Sequence, residues 1–429
     1  MRKLFIAGVL LCLVLVACGK AKKPTETPTS PAPTNTAVRP SQTAVIPSAP
    51  TSTPTPTRVP PTGTSSPTSL PPTSTPTGTP SPIPSSTPTA VIIGPNNFLP
   101  GINPLTGLAV ADVALLERHP IAIKVAYYLR NVRPIWGVSL ADIVFDYRSD
   151  DGGDGRLHAI FYGTDADYVG PVRSARLLDR DLIPMYKSIF AYGNASYQIN
   201  NRLFATDFAN RLIVEGETTK CPPTVAIPMC RYEPSGGELL LASTKALTEF
   251  ITKKGVEKAR QNLDGMLFNP VAAVGGTSGT QVYARFSTNS YNRWDYDATS
   301  GRYLRFQDEV IDQGQGEKYA PMMDRQTNQQ MSAANVVILL IRYDYYDRTA
   351  GILDILISAG QGKAYAFRDG QMYEVLWNRP TSNSVLYLTF PDGSLYPYKP
   401  GNTWYEIVGE TSQITQKDTG VWRFEYRMP

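Results

Sequence analysis

A long segment that cannot form a hydrophobic core constrains this chain more than any other feature. Residues 19–97 contain 20 of the chain's 37 prolines, many threonines and serines, and no Phe, Trp or Tyr. Such a composition buries too little apolar surface to offset the entropy lost on ordering. We therefore predict a disordered tether over residues 18–97. With polyproline II character, at ~3.1 Å per residue, its upper reach is on the order of 200 Å.

The residues before the tether are typical of an export signal. Arg2 and Lys3 precede an apolar run from Leu4 to Val16, which is shorter than the ~20 residues of a membrane-spanning helix. The stretch Leu15-Val16-Ala17-Cys18 resembles a bacterial lipobox. It predicts a signal peptide over residues 1–17, lipidation of Cys18 and an extracytoplasmic protein anchored to the cell membrane. The alternatives are an ordinary signal or an uncleaved anchor, with Cys18 incidental.

The charge distribution argues against nucleic acid as a partner. Seven basic residues and one acidic residue precede residue 98, so the rest of the chain carries −2 of the overall +4. Binding to nucleic acid needs a basic face, which this balance does not predict. The basic residues beside Cys18 instead suit an anionic membrane surface.

Cysteine usage fits an exported protein. Apart from Cys12 and Cys18, the chain holds Cys221 and Cys230, and such a pair predicts a disulfide. Two free thiols or half of a metal site are the alternatives. A zinc site is disfavoured because His119 and His158 lie far away in the sequence and no CxxC motif is present. We expect no metal and no cofactor.

The remaining residues predict an α+β fold in two parts. Residues 98–268 alternate strands and helices, which predicts mixed layered sheets with helices on one face. A helix is expected from Ser174 to about Ile183, and Ser243 is a candidate N-cap for a second helix ending at Gly255. Residues 269–429 hold short aromatic and β-branched runs separated by turns such as Asp392-Gly393, which predicts mostly antiparallel sheet.

The order of short motifs resembles the YerB-like lipoprotein family, an exported bacterial family with N- and C-terminal domains of unknown function. The matching pieces span residues 103–408 and include NPLTGL (103–108), ADIV (141–144), GPVRSAR (170–176), WDYD (294–297) and PGNTW (400–404). The resemblance implies an α+β fold with layered sheets and a helical face, and no agreed activity. A Pro-His-Asn expected near residues 236–238 is Gly-Gly-Glu here, so a site using that histidine would be absent.

GPVRSAR is the best candidate for a ligand site. A helix starting near Ser174 would present free backbone N–H groups, with Arg173 and Arg176 close together over its positive end. Arg156 and Asp142 complete the set of candidate ligand-binding residues. Such a site suits a carboxylate, a phosphate or an acidic glycan. The alternative is a structural arginine pair that bonds carbonyls and the carboxylates of Asp142, Asp146 or Asp179.

Catalytic alternatives have weaker support. Ser174 as a nucleophile would need His119 or His158 as its base. Asp142 and Asp146 share one face of a predicted strand, and paired carboxylates can hydrolyse glycosidic bonds. The cluster Asp150-Asp-Gly-Gly-Asp-Gly155 reads as a polar turn rather than a calcium loop. The sequence therefore favours a non-catalytic module that binds an anionic wall component or an envelope protein, with a wall hydrolase or a scaffold without a small ligand as alternatives.

Overall fold

A computed structural model describes residues 91–233 and 239–428 of the chain. The predicted signal peptide, Cys18 and residues 18–90 of the predicted tether lie outside the described residues, as do the substituted positions 236–238. The described residues fall within one compact unit, Pro84–Pro429. This unit is mostly β-structure with few helices.

The strands up to residue 268 are short and alternate with helices. They are β1 (Ile121–Val125), β2 (Ile143–Arg148), β3 (Gly155–Phe161), β4 (Ile189–Tyr192), β5 (Leu212–Val214), β6 (Thr219–Lys220), β7 (Met229–Tyr232), β8 (Leu239–Ala242) and β9 (Leu267–Phe268). The α-helices are α1 (Asp179–Met185), α2 (Tyr197–Phe204) and α3 (Thr244–Lys253). Short 3₁₀ turns lie at Val113–Leu116, Arg130–Val132, Val138–Leu140 and Ala209–Arg211.

From residue 269 onward the regular structure of the described chain consists of strands. They are β10 (Thr277–Ser278), β11 (Gln281–Arg285), β12 (Tyr291–Asp297), β13 (Arg302–Asp308), β14 (Tyr319–Pro321), β15 (Met323–Asp324), β16 (Gln329–Gln330), β17 (Ser332–Ala333), β18 (Asn335–Ile341), β19 (Tyr343–Asp347), β20 (Ile352–Ile355), β21 (Gly360–Arg368), β22 (Gln371–Arg379), β23 (Tyr387–Thr389), β24 (Pro397–Tyr398), β25 (Thr403–Gly409), β26 (Gln413–Asp418) and β27 (Val421–Glu425).

One large sheet joins strands from both parts of the chain. Its order is β10-β22-β21-β18-β25-β2-β3-β1-β4-β5, with β23 beside β22. The junction is the parallel pairing of β2 with β25, in which Asp146 lies opposite Glu406. The division at residue 268 therefore remains a prediction, while the two parts share this sheet.

The central strands β18 and β25 are buried along their whole length because both faces of the large sheet are covered. In β18, Val337, Leu339 and Ile341 belong to one apolar cluster, whereas Val336 and Ile338 belong to another. This alternation has the period of two that a strand imposes on its side chains. The second cluster includes residues of a smaller sheet ordered β14-β13-β12-β11-β27-β26.

The helices differ from expectation in two respects. Leu182 of α1 and Ile199 of α2 pack into the first cluster, but Leu247 of α3 packs into the second, so the prediction of helices on one face is wrong. The predicted cap of α3 is confirmed, since Ser243 Oγ accepts a hydrogen bond from Ala246 N at 3.3 Å. The second difference is that α1 begins at Asp179 rather than at Ser174.

The cysteine prediction is met by the structure. Cys221 and Cys230 form a disulfide, and Cys230 is buried in β7. Within residues 91–233 and 239–428, no helix is long and apolar enough to cross a membrane.

Candidate functional site

The strand directions bring several loops to one edge of the large sheet. β1, β4 and β5 run parallel, β2 runs parallel to β25 and β18, and both β1 and β2 are antiparallel to β3. The carboxyl ends of β1, β2, β4, β5, β18 and β25 therefore lie at the same edge of the sheet. In open α/β sheets, ligands bind outside the carboxyl ends of the parallel strands.

A cleft of about 470 Å³ lies at this edge. We call it the edge cleft, and it is lined by Ser149, Asp150, Asp151, Gly152, Ser174, Arg176, Ser196, Ile199, Ala350, Gly351 and Ile352. The lining comes from four segments: the turn after β2, the loop before α1, the start of α2 and the turn between β19 and β20. The sequence indicated the first two of these segments, and gave no sign that the other two would join them.

The turn after β2 is fixed by its own backbone. Ser149 N donates to Asp154 O at 2.8 Å, and Gly153 N donates to Asp150 O at 3.2 Å. Gly153 has a φ of +87°, and a Cβ there would lie 2.7 Å from Ser287 Cβ, so glycine is required. The turn thereby directs two aspartates toward the edge cleft.

Two contacts connect this turn to the β19–β20 hairpin across the cleft. Asp151 N donates to Gly351 O at 3.2 Å, and Tyr345 Oη donates to Asp151 Oδ1 at 2.8 Å. These contacts link two turns that lie far apart in the sequence, since the hydrogen-bonded residues Tyr345 and Asp151 are 194 positions apart. Sequence spacing offered no signal for this meeting.

The prediction of a helix starting at Ser174 is wrong, because Ser174 lies in the loop before α1. Arg173 N donates to Lys124 O at 2.9 Å, and Ala175 N donates to Asn194 O at 2.8 Å, so these residues extend the strand pairing instead. The helix begins at Asp179, whose Oδ2 accepts a hydrogen bond from Arg176 N at 2.6 Å. The predicted helix terminus with free N–H groups at Ser174 is therefore not formed.

Arg176 lines the edge cleft and is held by three acceptors. Its guanidinium donates to the carbonyls of Ser174 and Ala175 at 3.2 and 3.0 Å, and to Asp150 Oδ2 at 3.2 Å. These contacts match the alternative of a structural arginine that bonds carbonyls and a carboxylate. The carboxylate is Asp150, however, and not Asp142, Asp146 or Asp179. The Arg176 side chain is still 19% exposed, so the ion pair borders solvent.

Arg156 lies close to the turn after β2 and is not among the residues that line the cleft. Its Nη1 donates to Gly155 O at 3.0 Å, and Nη2 lies 3.9 Å from Asp154 Oδ2. Burial, and then the nearby charge of Arg176, lower the pKa of Arg156. It therefore reinforces the positive charge near Arg176 without being one of the residues that line the cleft.

Arg173 and Asp142 do not join this group. The half-buried Arg173 guanidinium makes no hydrogen bond or ion pair with the described residues, and its pKa is lowered by burial and by Arg231. Asp142 precedes β2, at the opposite end of that strand from the cleft. Its carboxylate accepts hydrogen bonds from Asn103 Nδ2, Tyr162 N and Gly163 N at 2.9, 2.5 and 2.9 Å. Asp142 is therefore a buried brace in this structure.

A buried charge cluster lies next to the loop that carries Arg176. Asp179 Oδ1 contacts Lys124 Nζ at 3.0 Å and His158 Nδ1 at 2.8 Å. All three side chains have no exposed surface. Burial alone would raise the pKa of Asp179, but Lys124 and His158 outweigh it and lower that pKa. His158 consequently has no solvent face from which to serve Ser174 as a base.

Asp142 and Asp146, the paired carboxylates of the hydrolase alternative, are both buried but lie in separate surroundings. Asp146 accepts hydrogen bonds from Arg305 Nη2 at 2.6 Å and Tyr127 Oη at 2.8 Å. Glu406 accepts hydrogen bonds from Arg305 Nη1 at 2.9 Å and Trp294 Nε1 at 2.8 Å. Burial, and then the charge of Glu406, raise the pKa of Asp146. Neither Asp142 nor Asp146 lines the edge cleft.

Comparison with known proteins identifies the family. Residues 105–256 match the N-terminal domain, and residues 282–405 the C-terminal domain, of a family described as "Protein of unknown function (DUF3048)". The chain belongs to this family, as its resemblance to YerB-like lipoproteins implied.

The sequence comparison and the structural comparison both find YerB of Bacillus subtilis. The protein named "Putative lipoprotein YerB", of strain 168, is 28% identical over 310 residues, which are 71% of this chain and 85% of that protein. The crystal structure of the YerB protein from Bacillus subtilis has a TM-score of 0.56 and 25% identity, and covers 71% of this chain and 96% of that one. These names state no ligand and no reaction.

Proposed function

We propose that this chain is a lipid-anchored protein of the bacterial envelope that binds a cell-wall component in the edge cleft without cleaving it. Three observations support the anchored location. They are the lipobox at Cys18, the tether composition of residues 19–97 and the name of the YerB relative, which calls it a lipoprotein. With this tether, the compact unit would reach wall material well beyond the membrane.

The observation that carries the binding proposal is the convergence of four chain segments on one cleft at the carboxyl edge of the sheet. Ligand sites in proteins are concave and present a few well-placed polar groups. The edge cleft meets this description with Asp150, Asp151 and Arg176, beside apolar surface from Ile199 and Ile352.

Arg176 is the side chain best placed to exchange partners. Its ion pair with Asp150 is partly exposed, with 19% and 27% of the two side chains accessible. Such a pair contributes about 0–1 kcal/mol to stability, so a ligand can replace it at low cost. The sequence favours an anionic wall component or a protein partner. We propose a wall component, and the proposal does not require that component to be charged.

The test is co-sedimentation of the purified full-length chain, in detergent, with isolated bacterial cell walls. Arg176→Ala is expected to weaken the apparent affinity for the walls at least about tenfold, since a charged hydrogen bond contributes roughly 1.5–3 kcal/mol. Lys417→Ala is the matched control, because it removes one positive charge from an exposed position on β26. Wild-type binding by the Arg176 variant would contradict the assignment, and release of soluble wall fragments would show hydrolysis instead.

A further inference from the structure

The charges around the edge cleft cancel one another locally. Three arginines each lie within 4 Å of an aspartate on the turn after β2, in the pairs Arg148–Asp151 (3.9 Å), Arg156–Asp154 (3.9 Å) and Arg176–Asp150 (3.2 Å). A cleft that concentrates polyanions is lined by one sign of charge. The formal charges of this group sum to zero, so it does not provide such a field.

The polar groups that remain available are of both hydrogen-bonding kinds. Ser174 and Ser196 line the cleft, and their hydroxyls make no hydrogen bond with the described residues. Asp151 accepts a hydrogen bond from Tyr345 Oη, and a carboxylate has about four acceptor sites. A phosphate offers mainly acceptors to these carboxylates, whereas a sugar hydroxyl both donates and accepts.

Three tyrosines belong to the segments that form the cleft, although none of them is among its lining residues. Tyr197, next to Ser196, is 78% exposed. On the hairpin, Tyr345 lies under the guanidinium of Arg348 at 4.2 Å, and the exposed Tyr346 lies under that of Arg202 at 4.3 Å. Aromatic rings combine an apolar face with a polar tip. Such faces complement the C–H face of a sugar ring.

We infer that the ligand class of the edge cleft is an uncharged, hydroxyl-rich sugar strand rather than a polyanion. Asp150 and Asp151 accept hydrogen bonds from its hydroxyls, Arg176 and the two serines complete the polar contacts, and the exposed ring of Tyr197 beside the cleft packs against one of its rings. This inference rests on the proposed function and narrows it to one component of the wall.

The experiment measures calorimetric binding of the full-length chain to a β-1,4-linked N-acetylglucosamine hexamer and to linear inorganic polyphosphate. We expect the chain to bind the sugar hexamer and not polyphosphate. Asp151→Ala should weaken sugar binding roughly tenfold or more, because a charged hydrogen bond is lost. The control is Asp344→Ala, which removes an exposed carboxylate of the β19–β20 hairpin that does not line the cleft, and it should leave binding unchanged. The Asp151 side chain is 48% exposed, so its replacement should leave the fold intact.

The sign of the Asp151→Ala effect separates the ligand classes. A polyanion would bind more tightly once the carboxylate is removed, so polyphosphate binding that strengthens in this variant overturns the inference. Sugar binding that is equal in the Asp151 and Asp344 variants also overturns it. Wall binding that depends on Arg176 without any sugar binding overturns the sugar class while supporting the proposed function, and absence of wall binding contradicts both.

Discussion

Aspartate and arginine meet in two contrasting places in this molecule. Between the two sheets, Arg305 and Asp146 are 2.6 Å apart with 1% and 0% of their side chains exposed. At the edge cleft, Arg176 and Asp150 are 3.2 Å apart with 19% and 27% exposed. The same residue pair therefore braces the interior in one place and borders a solvent-filled cleft in the other.

Burial, rather than residue type, decides which charged groups are free to bind. Removing one partner of a buried pair leaves an uncompensated charge in a medium of low dielectric constant. Opening a surface pair leaves both charges in water. Only the second kind of pair can change partners at low cost, and this contrast can be tested by substitution.

The largest expected effect is on the buried side. Arg305→Ala should lower the free energy of unfolding by about 3–5 kcal/mol, because Asp146 and Glu406 would lose their shared cation. Urea denaturation measures this change. Arg293→Ala on the neighbouring strand, which breaks the part-exposed pair with Asp295, is the control at about 0–1 kcal/mol. Equal losses in both variants would refute the contrast.

A second effect should appear as pH dependence. Burial raises the pKa of Asp142 from 3.8 to about 6. The folded state then binds more protons than the unfolded state between pH 4 and 6, so the contribution of Asp142 is fully present below about pH 4 and is lost as the pH rises through about 6. Relative to Asp142→Asn, wild-type stability should fall by up to about 3 kcal/mol from pH 4 to 7. A difference that stays constant or rises with pH would contradict this account.

The smallest effect on stability is expected at the cleft. Arg176→Ala should change the free energy of unfolding by less than about 1 kcal/mol, because its ion pair borders solvent. Thermal or urea unfolding of the variant beside wild type provides the measurement. A loss above about 2 kcal/mol would mean that Arg176 mainly braces its loop through the carbonyls of Ser174 and Ala175.

The sequence predicted the strands well where local pattern is decisive. The short aromatic and β-branched runs expected after residue 268 form strands such as β18, and Ser243 caps α3 as predicted. It failed at Ser174, because the backbone of Arg173 and Ala175 bonds to Lys124 and Asn194 instead of starting a helix. No local propensity encodes those distant partners.

The candidate site was predicted only in part for the same reason. Ser174 and Arg176 line the edge cleft, and Asp150 was read as part of a polar turn. Asp142 and Arg173 lie apart from the cleft, and the turn at Ala350–Ile352 gave no functional signal. Its position beside Asp151 depends on pairings across the sheet, including β2 with β25, that spacing along the chain does not show.

The most direct test of the central claim fills the edge cleft while leaving every buried charge in place. Ala350 is exposed and lines the cleft, so Ala350→Trp should occupy the space without disturbing the core. The measurement is co-sedimentation of this full-length variant with isolated cell walls, with its melting temperature as the check on folding. The account predicts loss of wall binding at an unchanged melting temperature. Binding equal to wild type by the folded variant would contradict it.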